Sequence, residues 1–156
     1  MKIRLYTLLI ILGFFVAISA NAPRAQSALG GSVDSIEADK KALSAVQSAV
    51  ASHTGYTVQE INSAANTVRE YVSPSGVVFG IAWGGLVPPD LMQLLGSYAG
   101  EYQEALQQTP RQKGSRHVEV RTPGVIVEKW GHMRNLQGRA YAPALLPPGV
   151  SVDEIK

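Results

Sequence analysis

Hydrophobic residues between positions 34 and 55 recur with helical spacing. A first helix is therefore predicted from Asp34, whose carboxylate suits an N-cap, to about Gly55, which suits a helix end. Its apolar stripe has spacings of seven, three and four, as one face of a helix requires, and consists of Ile36, Leu43, Val46 and Val50.

From residue 56 the pattern changes to alternation with a period of two, which is typical of strands with two different faces. Short, turn-rich segments separate the alternating runs and favour an antiparallel meander. Three strands are predicted, at residues 56–61, 67–72 and 77–83.

The third of these strands is apolar on both faces, which predicts a central position in the sheet. Alternation places small residues on one face, namely Val78, Gly80 and Ala82, and larger ones on the other, namely Val77, Phe79, Ile81 and Trp83. The larger face needs a cover, which the C-terminal half, a ligand or a second subunit would supply. Phe79, Ile81 and Trp83 are thus candidate contacts with a ligand or partner.

A second helix is predicted after two prolines, because Asp90 suits an N-cap and an apolar stripe continues from there to about Gln108. The stripe consists of Leu91, Leu94, Leu95, Tyr98, Tyr102, Ala105 and Leu106. A role of Asp90 as a catalytic base is the alternative, but its place directly before an apolar helix favours capping.

Two further strands are predicted at residues 117–121 and 125–130, on either side of a Thr-Pro-Gly turn, with an extended stretch at 139–142. The tail from residue 143 is predicted to wrap the body and to end in a capped turn at 151–155. We therefore predict an α+β fold, a single small domain in which two amphipathic helices pack on an antiparallel sheet of about five to six strands.

Residues 1–27 have the pattern of a secretion signal, with a charged start, an apolar run over residues 5–20 and a small-residue end. Cleavage is predicted after Ser27, or alternatively after Ala22, where the following proline is unfavourable. The run is 16 residues long, shorter than the roughly 20 that span a bilayer comfortably. A single exported domain, residues 28–156, is therefore favoured over a protein that keeps its signal as an inner-membrane anchor.

Removal of the signal changes the charge of the protein. Three of the 14 basic residues lie in the signal, which leaves 11 basic against 12 acidic side chains, a net charge of −1 instead of +2. A near-neutral domain without a basic run argues against binding to nucleic acid or to a membrane surface. The absence of cysteine excludes disulfides, thiolate metal sites, thiol catalysis and a lipoprotein anchor.

The sequence lacks the local motifs of common catalytic and metal sites. It contains no Gly-x-Ser-x-Gly or Ser-x-x-Lys motif, and its histidines, His53, His117 and His132, are not spaced for a local metal site. One cluster combines aromatic, imidazole and guanidinium groups that suit an anionic or sugar-like ligand, namely Trp130, His132, Arg134, Arg139 and Tyr141. The alternative there is a bulged hairpin whose tryptophan packs in the core. We predict no catalytic residue, metal or cofactor.

Six segments of the chain occur in a recognisable combination, at residues 28–31 (ALGG), 56–61 (YTVQEI), 68–79 (VREYVSPSGVVF), 89–91 (PDL), 131–133 (GHM) and 138–141 (GRAY). In this combination the chain resembles a bacterial family of exported proteins known as domain of unknown function 2844. The resemblance covers nearly the whole predicted mature chain. It implies export and a single domain, and it implies no activity, cofactor or catalytic residue.

Three functions stay open on the sequence alone. The first is a non-enzymatic binding domain of the cell envelope, periplasmic or secreted, whose partner is a protein or a glycan. The second is a small exported enzyme of hydrolytic type, with a site around His132 that uses Arg139 and Tyr141 or Asp90. The third is a domain anchored to the inner membrane by an uncleaved signal, and the sequence predicts no oligomeric state.

Overall fold

Seven strands form one antiparallel sheet in the part of the chain that the computed structural model describes, which is residues 29–33, 35–44, 47–110 and 114–156. The predicted signal peptide and both predicted cleavage sites lie outside these residues. The strands are β1 (Gln47–His53), β2 (Tyr56–Asn62), β3 (Asn66–Val72), β4 (Val78–Gly85), β5 (His117–Arg121), β6 (Ile126–His132) and β7 (Asn135–Tyr141). Their order in the sheet is β1-β2-β3-β4-β7-β6-β5, so two meanders meet where β4 pairs with β7.

The second predicted helix is confirmed, with a change of hydrogen-bonding pattern in its middle. Its parts are α2 (Leu91–Leu95), a 3-10 turn (Gly96–Tyr98) and α3 (Ala99–Gln108). Asp90 is its N-cap, since its carboxylate accepts hydrogen bonds from the backbone N–H of Met92 at 2.9 Å and of Gln93 at 3.4 Å. Two further 3-10 turns, Pro143–Leu145 and Val152–Glu154, lie near the C-terminus.

The first helix is shorter than predicted, and β1 lies where its second half was expected. Helix α1 (Ser35–Ala42) is followed by Ser44 with a φ of 49°, a conformation that does not continue a helix. All seven residues of β1 pair with β2 across the two-residue turn Thr54-Gly55. The paired ladder outweighs the weak helical spacing that ended on Val50. The predicted N-cap Asp34 and the stripe residue Val46 lie outside the described residues.

A bulge in β4 changes which side chains share a face. Strand β3 pairs with β4 on both sides of Phe79 but not with Phe79 itself, and this extra residue shifts the alternation by one position. Phe79 packs with Tyr71 and Ile155 on one face, whereas Ile81 and Trp83 pack on the other. The prediction that all three candidate contact residues share one face is therefore wrong.

Each face of the sheet carries its own buried core. On the helix face, α1, α2 and α3 cover a cluster that includes Ile36, Ile61, Val68, Ile81, Trp83, Leu94, Leu95, Tyr102, Val127 and Ala140. On the opposite face lies the C-terminal segment, residues 143–156, which we call the strap, over a cluster of Tyr56, Val58, Tyr71, Phe79, Ala82, Tyr141 and Ile155. The prediction that the tail wraps the body is confirmed.

The α+β class with an antiparallel sheet is confirmed, and the predicted number of strands is wrong. The sheet has seven strands because β1 replaces half of the first predicted helix. The helical layer consists mainly of the segment from Leu91 to Gln108, with the shorter α1 beside it. The face opposite this layer, which the strap partly covers, carries the candidate functional site.

Candidate functional site

The strap is held to the sheet by one apolar and one polar anchor. The side chain of Ile155 fills the space above Gly80, where an added Cβ would lie 2.8 Å from Ile155 Cδ1. The hydroxyl of Tyr71 donates to the carbonyl of Lys156 at 2.7 Å and accepts from its N–H at 2.9 Å. Residues 155 and 156 are thus bound both by a side chain in a notch and by their backbone.

Two arginine–glutamate pairs flank the strap on either side of Ala82. In the strand register, Arg69 of β3 and Arg139 of β7 both lie opposite Ala82. Arg69 pairs with Glu60 at 2.7 Å, and Arg139 pairs with Glu128 at 3.0 Å. Both arginines also donate to strap carbonyls, Arg69 at 3.4 Å and Arg139 at 3.0 Å. The pairs therefore fasten the strap from two sides.

Beside the strap, an open groove of about 650 Å³ lies over the first three strands. Small apolar side chains form its floor, which suits a ligand with an apolar surface. We call it the β1–β3 groove, and its lining consists of Ala49, Ala51, His53, Tyr56, Val58, Glu60, Arg69, Tyr71, Glu154 and Lys156. From Ala49 to His53 the groove is about 13 Å long at the usual rise per strand residue.

The polar groups of the β1–β3 groove already engage one another. The imidazole of His53 stacks on the ring of Tyr56, with ring centroids 4.9 Å apart and planes 10° from parallel. Burial, with help from the carboxylate of Glu154, raises the pKa of Tyr56 to about 12. The Ser151 N–H and the Tyr56 hydroxyl lower the pKa of Glu154.

The opposite end of the groove holds a second set of engaged groups. Hydrogen bonds from Asn62 and then from Arg69 lower the pKa of Glu60. The groove thus presents ionised carboxylates and a protonated tyrosine at neutral pH, each with a partner in the fold. This arrangement can position a ligand, because both carboxylates and the tyrosine hydroxyl are held by neighbouring groups.

The family model described as protein of unknown function (DUF2844) matches residues 25–155 of the chain. The chain belongs to this family. The match confirms the resemblance that the six sequence segments indicate. No curated protein and no solved structure gives a significant match.

In this DUF2844 protein, the three predicted contact residues of β4 belong to the two cores. Phe79 and Ile81 are fully buried and Trp83 is 4% exposed. Strap residues cover Phe79, whereas helical residues cover Ile81 and Trp83. A role of these three side chains as ligand or partner contacts stays a prediction. The strap and the helices bury all three of them.

The predicted cluster around the β6–β7 hairpin is divided between a structural role and an exposed tip. Arg139 contacts Glu128 and the strap, and Tyr141 is buried beneath the strap. The indole N–H of Trp130 donates to the side-chain oxygen of Gln137 at 2.9 Å. These three side chains point to the strap face, as the alternation along β6 and β7 requires.

The remaining members of that cluster lie apart from Arg139. His132 and Arg134 are exposed at the hairpin tip, where Arg134 adopts a φ of 68°. His132 is four residues along β6 from the partner of Arg139, a separation of about 13 Å. Asp90 caps α2 on the helix face, on the other side of the sheet. The structure therefore keeps Arg139 and Tyr141 on the strap face and places His132 and Asp90 apart from them.

Sequence reasoning missed the β1–β3 groove for two reasons. The local sequence pattern predicts a helix at two of its floor residues, Ala49 and Ala51. Its wall comes from Glu154 and Lys156, which are distant in sequence from the strands that they contact. The one available local signal was the Thr54-Gly55 pair between two alternating runs, which is compatible with a two-residue hairpin turn.

The described residues include no group of three or more His, Asp or Glu side chains that could hold a metal ion. Within the same part of the chain, no helix has the length and apolar character needed to cross a membrane.

Proposed function

We propose that this DUF2844 protein is an exported, non-enzymatic binding domain of the cell envelope, and that its β1–β3 groove binds an extended segment of a partner protein. The observation that carries this proposal is the open groove with an apolar floor beside the strap. Its polar groups are held in fixed positions by mutual contacts, which preorganises the site.

The strap itself provides a pattern for peptide recognition on this face. An apolar side chain, Ile155, enters a notch above a glycine, and the adjacent backbone is bound by Tyr71 and Arg69. The neighbouring groove offers the same combination of small apolar floor and polar rim. An extended peptide with alternate apolar side chains fits this combination, because such side chains lie about 7 Å apart on one face.

A library of random peptides displayed on phage tests the groove. The expected result is enrichment of peptides with alternate apolar residues that bind the wild-type protein and do not bind Ala51→Trp, whose indole fills the floor. Ser52→Trp is the matched control, because it introduces the same ring one residue along the strand, on its other face. Equal binding by wild type and Ala51→Trp, or no enrichment at all, contradicts the peptide-binding proposal.

Export has separate support. The signal pattern ends at Ser27, and the family match begins at residue 25, so nearly all of the predicted signal lies outside the matched residues. The intact mass of the protein isolated from its native host tests this part of the proposal. The expected mature N-terminus is Ala28, in the periplasm or the medium. Recovery of the uncleaved chain in the inner membrane would overturn cleavage and favour the anchored alternative.

A further inference from the structure

Strand β1 is an edge of the sheet that the described residues form. It lies at one end of the strand order, and its seven residues pair with β2 without any irregularity. At its centre, Val50 is 65% exposed. A long, regular edge with an exposed apolar residue is a template for pairing with another strand.

The two edges of this sheet differ in the features that prevent such pairing. Strand β5, at the far edge, has only five residues and carries the charges of Glu119 and Arg121. Strand β1, with the sequence QSAVASH, contains no proline, no lysine, no arginine and no carboxylate. Short length and charge protect edges in natural sheets. By this criterion β5 is protected and β1 is open.

The hairpin geometry indicates which backbone groups of β1 point outward. The loop Thr54-Gly55 has two residues, so His53 and Tyr56 close the hairpin and direct their N–H and C=O groups at each other. This direction reverses from one residue to the next along a strand. The N–H and C=O of Val50, three residues before His53, therefore point away from β2.

We propose that β1 pairs with β1 of a second copy of this chain, antiparallel about a two-fold axis at Val50. In this register Val50 lies opposite its own counterpart, and the outward groups of the two residues form a hydrogen-bonded pair. Ala49 lies opposite Ala51 of the second copy. No like charges meet, because the strand carries none, so the edge is complementary to itself.

The pairing would also complete the β1–β3 groove. The groove has the strap as one wall and is open toward β1, where Ala49 and Ala51 form its floor. A second copy continues this floor with its own alanines and adds its own strap as the opposite wall. The two β2 strands would then lie about 14 Å apart, and the two β1–β3 grooves would form one symmetric groove between them.

Sedimentation velocity over a wide range of protein concentration tests the proposal on the protein expressed from residues 1–156. The expected species is a dimer, with twice the mass of a single chain measured under denaturing conditions. Val50→Lys, which adds a charge to the centre of the edge, is expected to give a monomer at concentrations where the wild type is a dimer. Val118→Lys on β5 is the matched control, because Val118 is 37% exposed on the other edge, and it is expected to leave the dimer intact.

A second variant separates loss of pairing from loss of folding. Val50→Pro removes the outward N–H and leaves the ladder to β2 intact, so we expect a monomer with the circular dichroism spectrum of the wild type. A wild-type monomer at every concentration overturns the proposal. A dimer that survives both Val50 variants, or that only Val118→Lys dissociates, overturns it as well.

Discussion

Arg139 and Glu128 lie directly opposite each other on β7 and β6 and form a two-point ion pair, with Nε and Nη2 of the arginine 3.0 to 3.2 Å from the carboxylate oxygens. Their side chains are 18% and 13% exposed. The corresponding pair across Ala82, Arg69 with Glu60, is 41% and 32% exposed. Because the two pairs share one row of the sheet, they form a natural comparison of a buried and an exposed ion pair.

We predict that Arg139→Gln destabilises the fold far more than Arg69→Gln. Removal of Arg139 leaves Glu128 without its ion-pair partner in a mostly buried place, which costs about 3 kcal/mol of unfolding free energy. The exposed pair of Arg69 contributes below about 1 kcal/mol. Urea unfolding of both variants measures the difference. Equal losses would show that the burial of the pair does not determine its contribution.

Gly138→Ala is predicted to destabilise the contact between β7 and β4. The ring of Trp83 packs against Gly138, and an added methyl group would overlap that ring and the carbonyl of Glu128. Overpacking of this kind costs roughly 1 to 3 kcal/mol. Gly84→Ala is the matched control, because its methyl group would meet only Gln137, at 3.8 Å, and should change stability by less than about 0.5 kcal/mol. Thermal unfolding of both variants tests the prediction. The prediction fails if both variants shift the midpoint temperature of unfolding from the wild-type value by the same amount.

The stability of the protein is predicted to fall as the pH rises from 10 to 12. The pKa of Tyr56 is about 12 in the fold against an ordinary value of 10.0. Below pH 10 the tyrosine is protonated in both states, and its contribution is fully present. Between the two pKa values the unfolded chain loses the proton first, so the free energy of unfolding decreases with pH.

Tyr56→Phe tests this dependence, because the variant has no hydroxyl to ionise. Its unfolding free energy should fall less steeply above pH 10 than that of the wild type. A residual slope is expected, because burial also raises the pKa of Tyr71 and Tyr141. Urea unfolding at a series of pH values, with tyrosinate absorbance as a second signal, gives the comparison. Parallel curves for the two proteins would rule out the role assigned to Tyr56.

Most secondary structure followed from local pattern. Strand β5 was predicted with its observed bounds, and β2 and β3 were predicted to within one residue at each end. The Asp90 cap and the capped turn at Ser151 were also predictable, because a capping side chain bonds backbone groups only two or three residues away. In these places the interaction partners are neighbours in sequence.

The sequence by itself thus determined most of the strand and helix pattern, the family and the wrapping tail. Three features were decided only by the tertiary structure: the strand identity of β1, the bulge at Phe79 and the groove beside the strap. Each depends on pairing or packing between segments, such as Lys156 with Tyr71 across 85 positions. Local periodicity cannot reveal these contacts, because it reports which side chains share a face and not which segment covers them.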